Sequence, residues 1–161
     1  MARRLIRTAV ATIAIALAGC AGHAAKPAGA NALAGLETHA AQDYAAGRYP
    51  QAQAAYQQLV EAIPKDPQLW FRLGNVQTRM QQLDAAADAY LHTLALAPHD
   101  AKAMHNLGVV RLRQAEAAFA QSAGNAGEAQ PALRVRSARM ADGIARLAEP
   151  QDTATTTEAS P

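Results

Sequence analysis

The sequence predicts an all-α domain of stacked helical hairpins, and three observations predict it. A set of residues recurs at a spacing of 34: Trp70, Leu73 and Gly74 reappear as Met104, Leu107 and Gly108, Ala52, Tyr56 and Pro64 as Ala86, Tyr90 and Pro98, and Asp66 as Asp100. A fixed period of that length marks supersecondary units that bury their apolar faces only by stacking on one another. The intervening residues are rich in Ala, Gln and Leu, which favour helix. Pro64 and Pro98 fall where a second helix has to stop, because proline cannot donate the backbone hydrogen bond and its ring clashes with the preceding turn.

The elements follow in chain order. Arg3, Arg4 and Arg7 precede an uncharged run from Thr8 to Ala18, the layout of an export signal over residues 1–19. The run is about a dozen residues long, short of the roughly 20 that a membrane-spanning helix needs. Leu17, Ala18, Gly19 and Cys20 resemble the bacterial lipobox, in which the signal is cut before the cysteine and the thiol receives diacylglycerol. That resemblance implies lipidation of Cys20. A lone cysteine can form no internal disulfide, and its Ala- and Gly-rich surroundings offer no core to bury a thiol. Several acyl chains on one residue make a stable anchor where one holds only marginally. In the lipoproteins this segment resembles, an aspartate after the cysteine favours the inner membrane. Ala21 stands there instead, pointing to the outer membrane. Residues 20–32 read as the lipidated cysteine and a flexible tether, and residues 149–161, without apolar periodicity, as a disordered tail.

Between tether and tail, residues 33–148 form the expected domain. The first repeat spans Leu33 to Asp66, with Gly47 at its turn, and the second spans Pro67 to Asp100. In the second, a large residue at Trp70 is followed by Leu73-Gly74, a small residue at Ala86, an aromatic at Tyr90 and a closing Pro98. This pattern resembles the tetratricopeptide repeat family, from Leu33 to about Phe119. Two positions depart from it: Gln77 stands where an aromatic is usual, and Gln81 where the turn usually has glycine. Gly74 and Gly108 are expected to let a neighbouring helix approach closely, Ala52 and Ala86 to do the same on each second helix, and Tyr56 and Tyr90 to fill the space between repeats. The third repeat begins at Ala101 and is expected to lose its pattern after Phe119, where Gly124 and Gly127 interrupt it. A capping helix then runs from Pro131 to Ala148 with Leu133, Met140, Ile144 and Leu147 on its packed face, a stripe that Arg136 interrupts. The whole is a helix-turn-helix solenoid of about two and a half repeats and a cap.

Residue chemistry gives no catalytic constellation. His23, His39, His92, His99 and His105 show no metal-ligand spacing, and phosphate loop and nucleophile elbow are both missing. The expectation is a protein without enzymatic activity and without cofactor. The net charge of +2 is no sign of nucleic-acid binding: Arg3, Arg4 and Arg7 leave with the signal, so 12 basic residues face 13 acidic ones. Aromatics interleaved with basic residues are missing too.

The family resemblance implies a concave groove, lined by the first helix of each pair, that receives a peptide or a partner helix. By register it would hold Glu37, Ala41 and Tyr44, then Phe71, Asn75 and Thr78, then Lys102, His105, Val109 and Leu112. Asn75, Lys102 and Asn106 are similar to a clamp that some family members close on a terminal carboxylate, although Phe71 stands where that clamp wants lysine. Charge is uneven, net −3 from Leu33 to Asp100 and net +4 from Ala101 to Leu147. The reading is an outer-membrane lipoprotein facing the periplasm, an adaptor that binds a protein during assembly of pili or secretion pores. A recruiter of cell-wall enzymes is the second reading, and an enzyme with an unseen site the third.

Overall fold

The computed structural model describes residues 28–148. The signal, Cys20 and the tail after Ala148 lie outside the described residues. Within them the chain forms six helices and no strand: α1 Ala28–Ala45, α2 Tyr49–Ala62, α3 Pro67–Arg79, α4 Leu83–Leu96, α5 Ala101–Asn125 and α6 Pro131–Ala148. Each helix packs on the next in order, which is the expected stack of hairpins.

The 34-residue period recurs in backbone detail. At the end of α1, the N–H of Gly47 donates to the Tyr44 carbonyl at 3.1 Å and that of Arg48 to Asp43 at 2.8 Å. At the end of α3, Gln81 donates to Thr78 at 3.1 Å and Gln82 to Gln77 at 2.9 Å. Both turns satisfy the last helical carbonyls through a residue in the left-handed region, Gly47 at φ 74° and Gln81 at φ 58°. Helix starts repeat as well. Asp66 caps α3 by accepting from the Gln68 N–H at 2.8 Å, with Pro67 in the first turn, and Asp100 caps α5 by accepting from Lys102 and Ala103 at 2.9 and 3.0 Å.

Two apolar clusters hold the stack. One joins α1, α2 and α3 through Ala40, Ala52, Tyr56, Leu59, Leu69, Leu73 and Val76, and reaches Ala89 on α4. The other joins α4 to α5 through Ala86, Ala87, Tyr90 and Val110, with Phe71, Leu83 and Leu107 at its edge. Burying a Leu, Val or Phe-sized side chain contributes about 1.5–3 kcal/mol, so these residues carry most of the stability. Beyond Val110, only small side chains are buried among the described residues, namely Ala126, Ser137 and Ala141.

Several expectations are corrected here. α1 begins at Ala28, so residues 28–32 belong to the helix rather than to the tether, as their Ala content favours. The break expected after Phe119 falls at residues 126–130, where Gly127 takes a left-handed φ of 53°, but no turn divides the residues before it into a third hairpin. α5 runs unbroken for 25 residues, because Ala115 occupies the place of Gly47 and Gln81. A left-handed conformation costs an alanine about 1–2 kcal/mol, and the surrounding Arg113, Gln114, Glu116 and Ala117 favour helix, so the turn is lost. Gly108 is consequently exposed, and a Cβ there would meet nothing within 4 Å. The tyrosine that would pack on it, 34 residues after Tyr90, is Gly124.

The face of α6 is also corrected. Ser137 and Ala141 are buried against α5, with the Ser122 and Ser137 hydroxyls 3.0 Å apart. Leu133, Met140 and Leu147 are 43%, 47% and 72% exposed, and Arg136 lies on that outer side. Packing two helices closely through Ser and Ala leaves the larger side chains outside.

Candidate functional site

The first helices of the pairs share one concave side, and a hollow of about 550 Å³ opens on it. Tyr44 reaches it from α1, Asn75, Thr78 and Arg79 from α3, and His105, Asn106, Val109 and Arg113 from α5. Tyr90 of α4 enters from beneath, through the gap left by Gly74. A Cβ on Gly74 would lie 2.8 Å from Tyr90 Cε1 and 2.9 Å from Cδ1, closer than carbon atoms tolerate. The glycine is therefore what lets the phenol reach the groove.

At the floor the Tyr90 hydroxyl donates to Asn75 Oδ1 at 2.8 Å and lies 3.2 Å from Thr78 Oγ1. Asn106 Nδ2 donates to the same Asn75 oxygen at 2.9 Å and approaches the Tyr90 hydroxyl at 3.4 Å. Two helix faces and the tyrosine thus lock one another, and Asn75 Nδ2 is left as a donor with no partner among the described residues. Burial raises the Tyr90 phenol above its ordinary pKa, partly offset by its polar contacts with Thr78 and Asn106. The phenol stays neutral and acts as a hydrogen-bonding strut.

The rim is basic. Arg79, His105 and Arg113 line the hollow, and among the described residues no carboxylate does. Two ion pairs form among the described residues, Arg48 with Asp43 at 2.7 Å and Arg72 with Glu37 at 3.7 Å, and neither engages Arg79 or Arg113. Arg79 Nε donates to the Tyr44 hydroxyl at 3.5 Å, and this contact raises the guanidinium pKa further. A guanidinium without a carboxylate partner is a ready donor to an anionic ligand.

Of the residues expected in the groove, Tyr44, Asn75, Thr78, His105 and Val109 line this hollow. Glu37 lies further along on a shallower shelf with Ala41 and Arg72. Three are placed elsewhere. Phe71 turns into the α4/α5 cluster, its ring 5.9 Å from that of Tyr90, because burial against apolar neighbours outweighs exposure to water. Lys102 is exposed in the first turn of α5 and Leu112 is 38% exposed, both outside the lining of the hollow. Register alone missed Arg79 and Arg113. They stand 34 residues apart at equivalent places in consecutive repeats, so the period itself carried the signal. Among the described residues no three of His, Cys, Asp and Glu converge to hold a metal ion, and no helix is long and apolar enough to cross a membrane.

Residues 43–108, from the end of α1 to the first half of α5, match the tetratricopeptide repeat family model. No curated protein matches the chain.

Proposed function

We propose that the chain is an adaptor whose concave hollow holds an acidic polypeptide segment, and that Cys20 ties it by lipid to a bacterial outer membrane, facing the periplasm. The observation that carries the ligand's polarity is the pair Arg79 and Arg113, which line the hollow and, among the described residues, share its lining with no carboxylate and form no ion pair. Asn75, Asn106 and Thr78 supply the neutral hydrogen-bonding groups an extended backbone needs. The match of residues 43–108 to a repeat family whose members typically bind proteins supports the adaptor role. The envelope location rests on the basic, apolar and small-residue order of residues 1–20, and such an adaptor suits assembly of pili or secretion pores.

Two experiments test this. Cys20→Ser is expected to move the protein from the membrane to the soluble fraction, and retention in the membrane contradicts the anchor. Selection from a displayed library of random peptides is expected to enrich acidic sequences. A hydrogen bond to a charged group contributes about 1.5–3 kcal/mol, so Arg79→Gln combined with Arg113→Gln should weaken the selected peptides about a hundredfold or more. Enrichment of neutral or basic peptides, indifferent to both substitutions, contradicts the assignment.

A further inference from the structure

We infer that α6 is a membrane-contact helix that lays a row of apolar side chains on an anionic lipid surface. Leu133, Met140 and Leu147 are spaced by seven residues and are 43%, 47% and 72% exposed. At about 100° per residue the three share a sector of about 40° on the helix, and Arg136, Arg139 and Arg146 follow within about the next 100°. All three arginines are exposed, and none forms an ion pair among the described residues. The helix carries four arginines against a single carboxylate, Asp142.

Charge complementarity decides what covers this row. A second copy would set one arginine stripe against another, so self-association through α6 is opposed by repulsion. An anionic occupant is favoured. The row stands on the last described helix of the stack, and the open hollow beside it is lined by α6 residues alone, so among the described residues no second helix walls it. A ridge of that form suits a fluid surface, with Leu and Met entering the headgroup boundary and the guanidinium groups meeting lipid phosphates. The inference stands independently of the groove and of the lipid on Cys20.

The test uses the full chain with Cys20→Ser, which removes the acylation site, and Met140→Cys labelled with an environment-sensitive fluorophore. With vesicles of equal parts phosphatidylglycerol and phosphatidylcholine, the label is expected to report an apolar environment, and with phosphatidylcholine alone an aqueous one. A label at Gln57→Cys on α2 should stay aqueous in both. Each arginine near an anionic surface contributes about 1 kcal/mol, or about fivefold in partitioning, so changing Arg136, Arg139 and Arg146 to Gln should weaken the response about a hundredfold. A label at position 140 that stays aqueous with anionic vesicles overturns the inference, as does a response that the three substitutions leave unchanged. Such a result leaves the Cys20 anchor untouched, because fractionation of the unaltered chain tests that separately.

Discussion

Two glycines at the same place in consecutive repeats show what a missing side chain does. Gly74 lies under the Tyr90 ring, so Gly74→Ala should destabilise the fold by about 1–3 kcal/mol through overpacking, and Gly74→Leu by at least as much. Gly108 faces open space, so Gly108→Ala should stabilise by about 0.5–1 kcal/mol through helix propensity alone. Urea denaturation of both variants checks the opposite signs. The two departures from the repeat pattern are also places of local cost. Gln77 is 6% exposed and its Oε1 has no hydrogen-bond partner, while Gln81 holds a left-handed backbone. Gln77→Met should therefore stabilise by about 1 kcal/mol, by removing a buried unpaired acceptor. Gln81→Gly should add about 0.5–1 kcal/mol, the left-handed cost less the extra freedom of glycine in the unfolded chain. Melting curves that fall in either case contradict the reading. Burial is the leading cause that raises the pKa of both Tyr56 and Tyr90. The unfolded chain then loses these protons at lower pH than the folded one, so stability is full below about pH 10 and falls as pH rises through the folded values. The urea midpoint should drop above that pH, and less steeply in Tyr90→Phe.

At the scale of elements, the hairpin boundaries were legible because each has a local chemical cause that recurs. Asp66 and Asp100 cap, Pro67 opens, and Pro64 and Pro98 close, so α2, α3 and α4 could be read from the residues. The continuity of α5 was not read, although its cause was present. Ala115 at the turn position and Gly124 at the tyrosine position are small changes in letters, and together they remove both the reason to turn and the ring that would reward turning. The α6 stripe was misplaced for a related reason: apolar periodicity marks the larger side chains, whereas α5 and α6 meet through Ser122, Ser137 and Ala141. A seam of small residues buries less apolar area than the clusters around Tyr56 and Tyr90. Amides in α6 should therefore exchange with solvent at least about tenfold faster than those in α2 and α3. Equal protection across all helices contradicts this division.

For the molecule as a whole, the stack builds a curved side whose groove was legible in outline and not in charge. Tyr44, Asn75, Thr78, His105 and Val109 followed from register, since a repeat places equivalent residues on one face. Register could not show that Phe71 turns inward, because its burial depends on Tyr90 and Val110 arriving from other helices. Arg79 and Arg113 give the hollow its polarity, and the network of Tyr90, Asn75 and Asn106 gives it a fixed floor. The central claim, that this concave hollow is where an acidic segment binds, is tested most directly by amide chemical shifts of the labelled chain titrated with a selected acidic peptide. The account predicts shifts concentrated at Asn75, Thr78, Arg79, His105, Asn106 and Arg113. Shifts confined to the outer faces of α2 and α4, or to α6, contradict it.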